Sequence, residues 1–272
     1  MESIPTSISI LGELYEQKGP IRELVGKLTE KWFGRKSRLV ITGMAGVGKT
    51  TLLDCLSGRV FAENYVLPNR STRVERATRT LPANALRDEP KMHIAYSVIP
   101  GQPSLPRQIA RKELFDGKTD IVGIVHVVSS GLPTLRYSAS QLVAINTIAD
   151  YRAYYLAQEL VDLDETCHDI ERYLVASRKT VWLLLTLNKI DLFHQTLDLE
   201  TAIYTSDDSP FVQRLRALQN RVGSLNFRWE VVPVCSWLED FGVGESRLRS
   251  NLSQTEFRQY LQAFLTKLIT NC

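Results

Sequence analysis

Eight residues, Gly43-Met44-Ala45-Gly46-Val47-Gly48-Lys49-Thr50, constrain what this chain can fold into more than any others. They fit the pattern GxxxxGK[ST], and they follow an apolar run, Arg38-Leu39-Val40-Ile41-Thr42, that reads as a buried strand. After them, Thr51-Leu52-Leu53 opens a helical pattern. Strand, glycine loop and helix start make a cradle for phosphate. The glycines let the backbone come close, and successive N–H groups form an anion nest where the helix begins. In such a cradle Lys49 would neutralise the β- and γ-phosphates, and the Thr50 hydroxyl would ligate Mg²⁺. The unit belongs in an open α/β sheet, where ligands bind outside the carboxyl ends of the strands.

The rest of the chain carries the alternation such a sheet needs. Runs rich in Val, Ile and Leu at 39–42, 93–99, 121–128, 181–187 and 229–234 are strand candidates, and an antiparallel edge strand is expected near 80–86. Helical patterns at 49–56, 210–222 and 254–269 separate them. The expected fold class is therefore α/β, a mostly parallel sheet with helices on both faces. Ahead of it, residues 1–36 read as an N-terminal helical extension, split by Gly19-Pro20, and residues 37–272 as the main domain. One segment is oversized. Residues 138–177 carry apolar positions at helical spacing over far more than the 11–12 residues of a usual helix, so they form one long helix or a hairpin with an extra layer.

Composition sets limits rather than a function. Apolar residues make up 44% and charged residues 23%, as in ordinary globular proteins. With 33 basic against 30 acidic residues, bulk charge points to neither nucleic acid nor an anionic membrane. No run approaches the roughly 18 apolar residues of a spanning helix, and the first residues lack the basic and apolar regions of a signal peptide. Cys55, Cys167, Cys235 and Cys272 have no CxxC or metal spacing, which favours a reducing, cytoplasmic setting. None of His93, His126, His168 and His194 has metal-ligand spacing, and His126 reads as a core histidine inside a strand.

A second motif names a base. Asn188-Lys189-Ile190-Asp191 fits NKxD and follows the apolar run 181–187, again at a strand end. A carboxylate at Asp191 can accept two hydrogen bonds from guanine N1–H and its exocyclic amine, which adenine cannot offer. A buried acceptor left unpaired by the wrong base loses about 1–3 kcal/mol. Together the two motifs resemble the GTPases of the translation-factor and Ras-like class, over roughly residues 38–269. Gly46 stands where potassium-dependent members carry Asn, so the chain leans to the Ras-, Arf- or MglA-like side. The resemblance implies a P-loop G domain that binds GTP or GDP with Mg²⁺, hydrolyses GTP slowly and meets a protein effector or regulator. A catalytically weak GTP-binding interaction module is the alternative.

The resemblance also assigns single residues. Gly43, Ala45, Gly46, Val47, Gly48, Lys49, Thr50 and Thr51 would line the nucleotide, with Asn188, Lys189 and Asp191 reading its base. A family DxPGQ stands here as Val98-Ile99-Pro100-Gly101-Gln102. Gly101 would contact the γ-phosphate and Gln102 would orient the attacking water. Val98 replaces the Asp that orients a metal-bound water. Ala45 sits where side chains often disturb that glutamine, which implies slow turnover. Among Thr72, Thr78 and Thr80, Thr78 is the expected switch threonine and second Mg²⁺ ligand. Cys235-Ser236 occupies the place of the family's SA motif, with the Ser236 N–H within reach of guanine O6. Outside the family pattern, Arg70, Arg73, Arg76 and Arg79 recur every third residue; they read as a solvated loop, with an arginine finger in cis as the sharper reading.

Overall fold

The computed structural model describes residues 38–56, 59–61, 64–68, 74–81, 92–135, 145 and 147–271. The expected N-terminal helical extension and most of 138–147 lie outside the described residues, as do Arg70, Thr72 and Arg73.

In chain order the regular elements are β1 (Arg38–Thr42), α1 (Lys49–Leu56), β2 (Glu75–Leu81), β3 (Met92–Val98), α2 (Leu105–Leu114), β4 (Ile121–Val128), α3 (Ile148–Ser177), β5 (Val181–Leu187), α4 (Leu197–Thr205), α5 (Pro210–Val222), β6 (Phe227–Pro233), a hairpin of β7 (Phe241–Val243) and β8 (Ser246–Leu248), and α6 (Gln254–Asn271). Six strands form one sheet in the order β2-β3-β1-β4-β5-β6. Five run parallel, and β2 is the antiparallel edge. The chain is thus a doubly wound α/β fold, as the strand–loop–helix motif requires.

The parallel strands are apolar because both faces are covered. Every residue of β5 is buried, as are seven of the eight in β4. From β1 the chain crosses to β3 on one side, and from β3 it jumps back over β1 to β4 and then on to β5 and β6. Right-handed crossovers put α1 on one face and α2, α3 and α5 on the other. The direction of winding reverses between β1 and β4, which is where such sheets open a crevice at their carboxyl ends. The phosphate-loop sequence follows β1 directly into that crevice.

Among the described residues the oversized segment is one helix, not a hairpin. α3 spans 30 residues, about 45 Å at the helical rise. Thr147 caps it by accepting from the Asp150 N–H (3.1 Å), and Arg178 ends it in the left-handed region with its N–H on Leu174 O. α2 is not among the expected helices, although it is amphipathic, with Ala110 and Leu114 buried on one face. Pro106 sits in its first turn, where a missing N–H costs nothing, and Ser104 caps it. At α6 a capping box starts the helix: Ser253 Oγ accepts from the Glu256 N–H, and Glu256 Oε2 accepts from the Ser253 N–H.

Candidate functional site

The glycine loop turns back from β1 and enters α1 through two left-handed residues, Gly46 (φ 79°) and Gly48 (φ 92°). Both positions also forbid a side chain. A Cβ on Gly46 would lie 2.7 Å from Thr134 O, and one on Gly48 would lie 2.4 Å from Asn188 Nδ2. Lys49 is nearly buried, and its ammonium donates to Gly43 O (2.7 Å) and Met44 O (2.8 Å). The lysine thus rests on its own loop, and an incoming phosphate would exchange those carbonyls for its own oxygens.

Asn188 joins the two motifs. Its side chain is fully buried and donates to Val47 O (2.8 Å) and Ser236 Oγ (2.9 Å), while Oδ1 accepts from the Ser236 N–H (3.0 Å). One amide therefore pins the glycine loop, the end of β5 and the loop after β6 to one another. That bond occupies the Ser236 N–H which the sequence aims at a guanine O6. Asp191 is 1% exposed and accepts from the Glu239 N–H (3.3 Å) and the Cys235 thiol (3.4 Å). Burial raises its carboxyl above the usual range, and the hydrogen bonds offset part of that. Burial, helped by this neighbouring carboxylate, pushes the Cys235 thiol well up, so it is inert rather than nucleophilic.

Lys189 holds a left-handed backbone (φ 63°), an unusual state for a residue with a side chain. Its ammonium donates to Leu132 O (2.8 Å) and Thr134 Oγ1 (2.5 Å) and sits 5.7 Å above the Phe241 ring. Burial lowers it to about 8.

Lys49, Thr50, Gln102, Lys189, Asp191 and Ser236 all face one cleft of about 170 Å³. It is small beside the roughly 300–1,000 Å³ of most ligand sites. A larger cavity of about 690 Å³ opens next to it between α2 and α3, sharing Ala45, Gly101 and Gln102. Residues of both motifs lie in the smaller one, whereas the larger is lined by the ion-paired Arg107, Arg111, Asp162 and Asp169 of α2 and α3. Gln102 Nε2 is buried and has no hydrogen-bond partner among the described residues, so this amide is held in reserve at the boundary of both. Gly101 packs so closely on the glycine loop that a Cβ there would lie 2.3 Å from Ala45 N and 2.5 Å from Lys49 Nζ.

Two predicted positions fall elsewhere. Thr78 stands inside β2 opposite Ala95, three pairs below the Glu75–Val98 pair at the carboxyl edge of β3, about 10 Å along the strand. Its backbone therefore lies well below the carboxyl ends of the parallel strands, where the cleft opens. Val98 is fully buried in the core and offers no oxygen to a cation. For Mg²⁺, Thr50 supplies a hydroxyl beside Lys49 in the cleft. A cation that takes most of its ligands from phosphates and water needs only one or two protein oxygens, so the residues present fit it.

Sequence reasoning missed Trp237, Glu239 and Phe241, which line the base end of the cleft, and Thr134, which lines it beside Gly46. It also missed the polar side of α3. Tyr155, Glu159, Asp162, Thr166, Asp169 and Tyr173 recur at three- and four-residue spacing and are all buried. That stripe was visible as a periodicity, but polar residues at helical spacing read as a solvated face. Asp162 of that stripe and the more exposed Glu165 on the same helix pair with Arg107 of α2, which also donates to Pro100 O (3.3 Å). The loop carrying Gly101 and Gln102 is thereby tied to α3.

No family model matches the chain, and no curated protein matches it. Among solved structures it is similar to the signal recognition particle receptor SRb of Chaetomium thermophilum, in its GTP complex with SRX, at 15% identity and a TM-score of 0.47, over 83% of this chain and 97% of that one. For SRb-GDP of the same organism the values are 10% and 0.44, over 87% and 97%. The ADP-ribosylation-factor-like GTP-binding protein, or small COPII coat GTPase SAR1, of Encephalitozoon cuniculi in complex with GDP gives 16% and 0.36, over 92% and 89%. At such identities and scores the fold assignment rests on the strand order and the loop geometry above.

Proposed function

We propose that this chain binds a guanine nucleotide in the cleft between the glycine loop and residues 188–191, and that it acts as a cytoplasmic switch that hydrolyses GTP slowly. One observation carries the reading: Asn188 bridges Val47 and Ser236, so the phosphate-type lysine Lys49 and the base-type carboxylate Asp191 face one cleft. In this reading the N–H groups of residues 45–51 cradle the phosphates, and Lys49 moves from the Gly43 and Met44 carbonyls onto phosphate oxygens. Asp191 accepts from guanine, and the Lys189 stem flanks the base. Mg²⁺, when bound, neutralises charge that develops on the phosphoryl oxygens. Gln102, with its unpaired amide at the cleft, orients the attacking water. A protein partner would read the loop at Gly101 and Gln102 or the exposed face of α3. The buried, unpaired thiols of Cys55, Cys167 and Cys235 suit a reducing compartment.

A second reading has its own observation. Val98, fully buried where an orienting carboxylate is expected, favours a GTP-binding interaction module with little hydrolysis. Single-turnover hydrolysis of GTP with and without Mg²⁺ separates the two. Metal-dependent phosphate release that is lost in Gln102→Ala supports the switch. Tight guanine binding without release supports the module, and no binding at all contradicts both.

A further inference from the structure

Between β4 and α3, residues 129–135 form a strap over the cleft, and its base is anchored on a buried carboxylate. Glu159 of α3 is 1% exposed. Its Oε1 accepts from the Ser129 N–H (2.8 Å) and hydroxyl (2.9 Å), and its Oε2 accepts from the Tyr204 hydroxyl of α4 (2.7 Å). The Gly131 N–H adds a further bond. These bonds hold Ser130 and Gly131 in the left-handed region, at φ 52° and 72°. Arg152 secures the same turn through Nε on Ser130 O (3.0 Å), and Tyr151 donates to Pro133 O (2.6 Å). At the far end the strap touches both motifs. The Thr134 N–H donates to Gly46 O (2.9 Å), and Leu132 O and Thr134 Oγ1 receive the Lys189 ammonium.

A buried carboxylate with four donors is an expensive way to pack a helix against a strand end, since an aliphatic side chain would fill the same space without desolvating a charge. What the charge does provide is direction. It turns four N–H and O–H groups inward and so fixes where the next four residues go. We propose that Glu159 and Tyr204 are positioning residues for nucleotide binding. They set the turn at 129–131 so that the strap carries Thr134 and Leu132 onto Gly46 and Lys189, holding the base-side lysine and the glycine loop in register. The inference rests on the guanine-nucleotide reading of the cleft, and it gives the long helix α3 a role in the site.

The experiment compares wild type with Glu159→Gln, Tyr204→Phe and Thr134→Val in the full chain. Two quantities are read: the dissociation constant for a fluorescent GDP analogue, and the rate at which Lys189 is acylated at pH 8, followed by peptide mass spectrometry. Gln keeps the shape of Glu159 but turns an N–H toward the donors, so GDP binding should weaken about tenfold, and loss of the single Tyr204 or Thr134 hydroxyl should weaken it about threefold. In each variant Lys189 should acylate faster, which a merely structural loss elsewhere would not produce. Thr134 is exposed at the strap's tip, so Thr134→Val retains the test even where Glu159→Gln fails to fold. Folded variants with wild-type GDP affinity and wild-type Lys189 acylation overturn the proposal. Wild-type protein that binds no guanine nucleotide overturns instead the reading beneath it.

Discussion

Replacing Asn188 by Ala tests whether one side chain holds the cleft together. The amide makes three bonds, to Val47 O at 2.8 Å, Ser236 Oγ at 2.9 Å and the Ser236 N–H at 3.0 Å. All three residues are buried, with Asn188 and Val47 at 0% exposure and Ser236 at 3%. The variant therefore strands a carbonyl, a hydroxyl and an N–H without partners. At the low end of about 1 kcal/mol for each stranded group, the fold loses about 3 kcal/mol. With a urea dependence near 3 kcal/mol per molar, the unfolding midpoint falls by about 1 M. The assay is equilibrium unfolding in urea followed by tryptophan fluorescence. Asn188→Asp is the informative control: it keeps the acceptor for the Ser236 N–H, and the Ser236 hydroxyl can turn to donate to it, while the N–H that served Val47 O and Ser236 Oγ is lost, so its midpoint should fall between the two. A midpoint for Asn188→Ala within about 0.2 M of wild type would refute the claim that this amide carries the junction.

Three further outcomes are expected. Asp191→Asn should lower GTP affinity and raise xanthine-nucleotide affinity by at least about tenfold, measured by competition, because the substituted amide offers a donor where guanine needs an acceptor. Burial lowers His126 to about 4, so the fold favours its neutral form. That stability is complete above the unfolded value near 6.5 and is lost as pH falls toward 4, about 3 kcal/mol in all, so wild type should lose more stability than His126→Gln between pH 6.5 and 4. Arg107→Ala should destabilise the protein by about 3–5 kcal/mol, since it leaves the buried Asp162 carboxylate without its guanidinium. Faster hydrogen exchange at residues 100–104 should accompany that loss, because Pro100 O loses its donor as well.

Much of the scaffold was legible because its signals are local. The glycine loop fixes β1 and α1, and the apolar runs of β4 and β5 end where the sequence ends them, since strands covered on both faces have no polar alternation to blur their limits. α5 is equally plain, bounded by Ser209-Pro210 and Gly223. The edge strand was expected a few residues late, at 80–86 rather than Glu75–Leu81, because an antiparallel edge of mixed charged residues carries little apolar pattern. What stayed hidden depends on contacts far apart in the chain. Nothing near Thr134 reveals that it meets Gly46 and Lys189, and nothing near Glu159 reveals four donors from the strap after β4 and from α4. The β7–β8 hairpin is three residues a strand, too short for a period, yet it brings Phe241 under the Lys189 ammonium. Thr78 shows the opposite failure. Spacing from Val98 selected it, but the β2–β3 register leaves it well down the sheet.

The central claim is that Lys49 and Asp191 serve one bound guanine nucleotide, and titration calorimetry tests it most directly. Wild-type protein should bind GDP and GTP with 1:1 stoichiometry and ATP at least about a hundredfold more weakly, Lys49→Ala should bind neither guanine nucleotide, and Asp191→Ala should lose the preference over ATP. Equal affinity for ATP and GTP, or guanine binding that survives Lys49→Ala, would contradict the account.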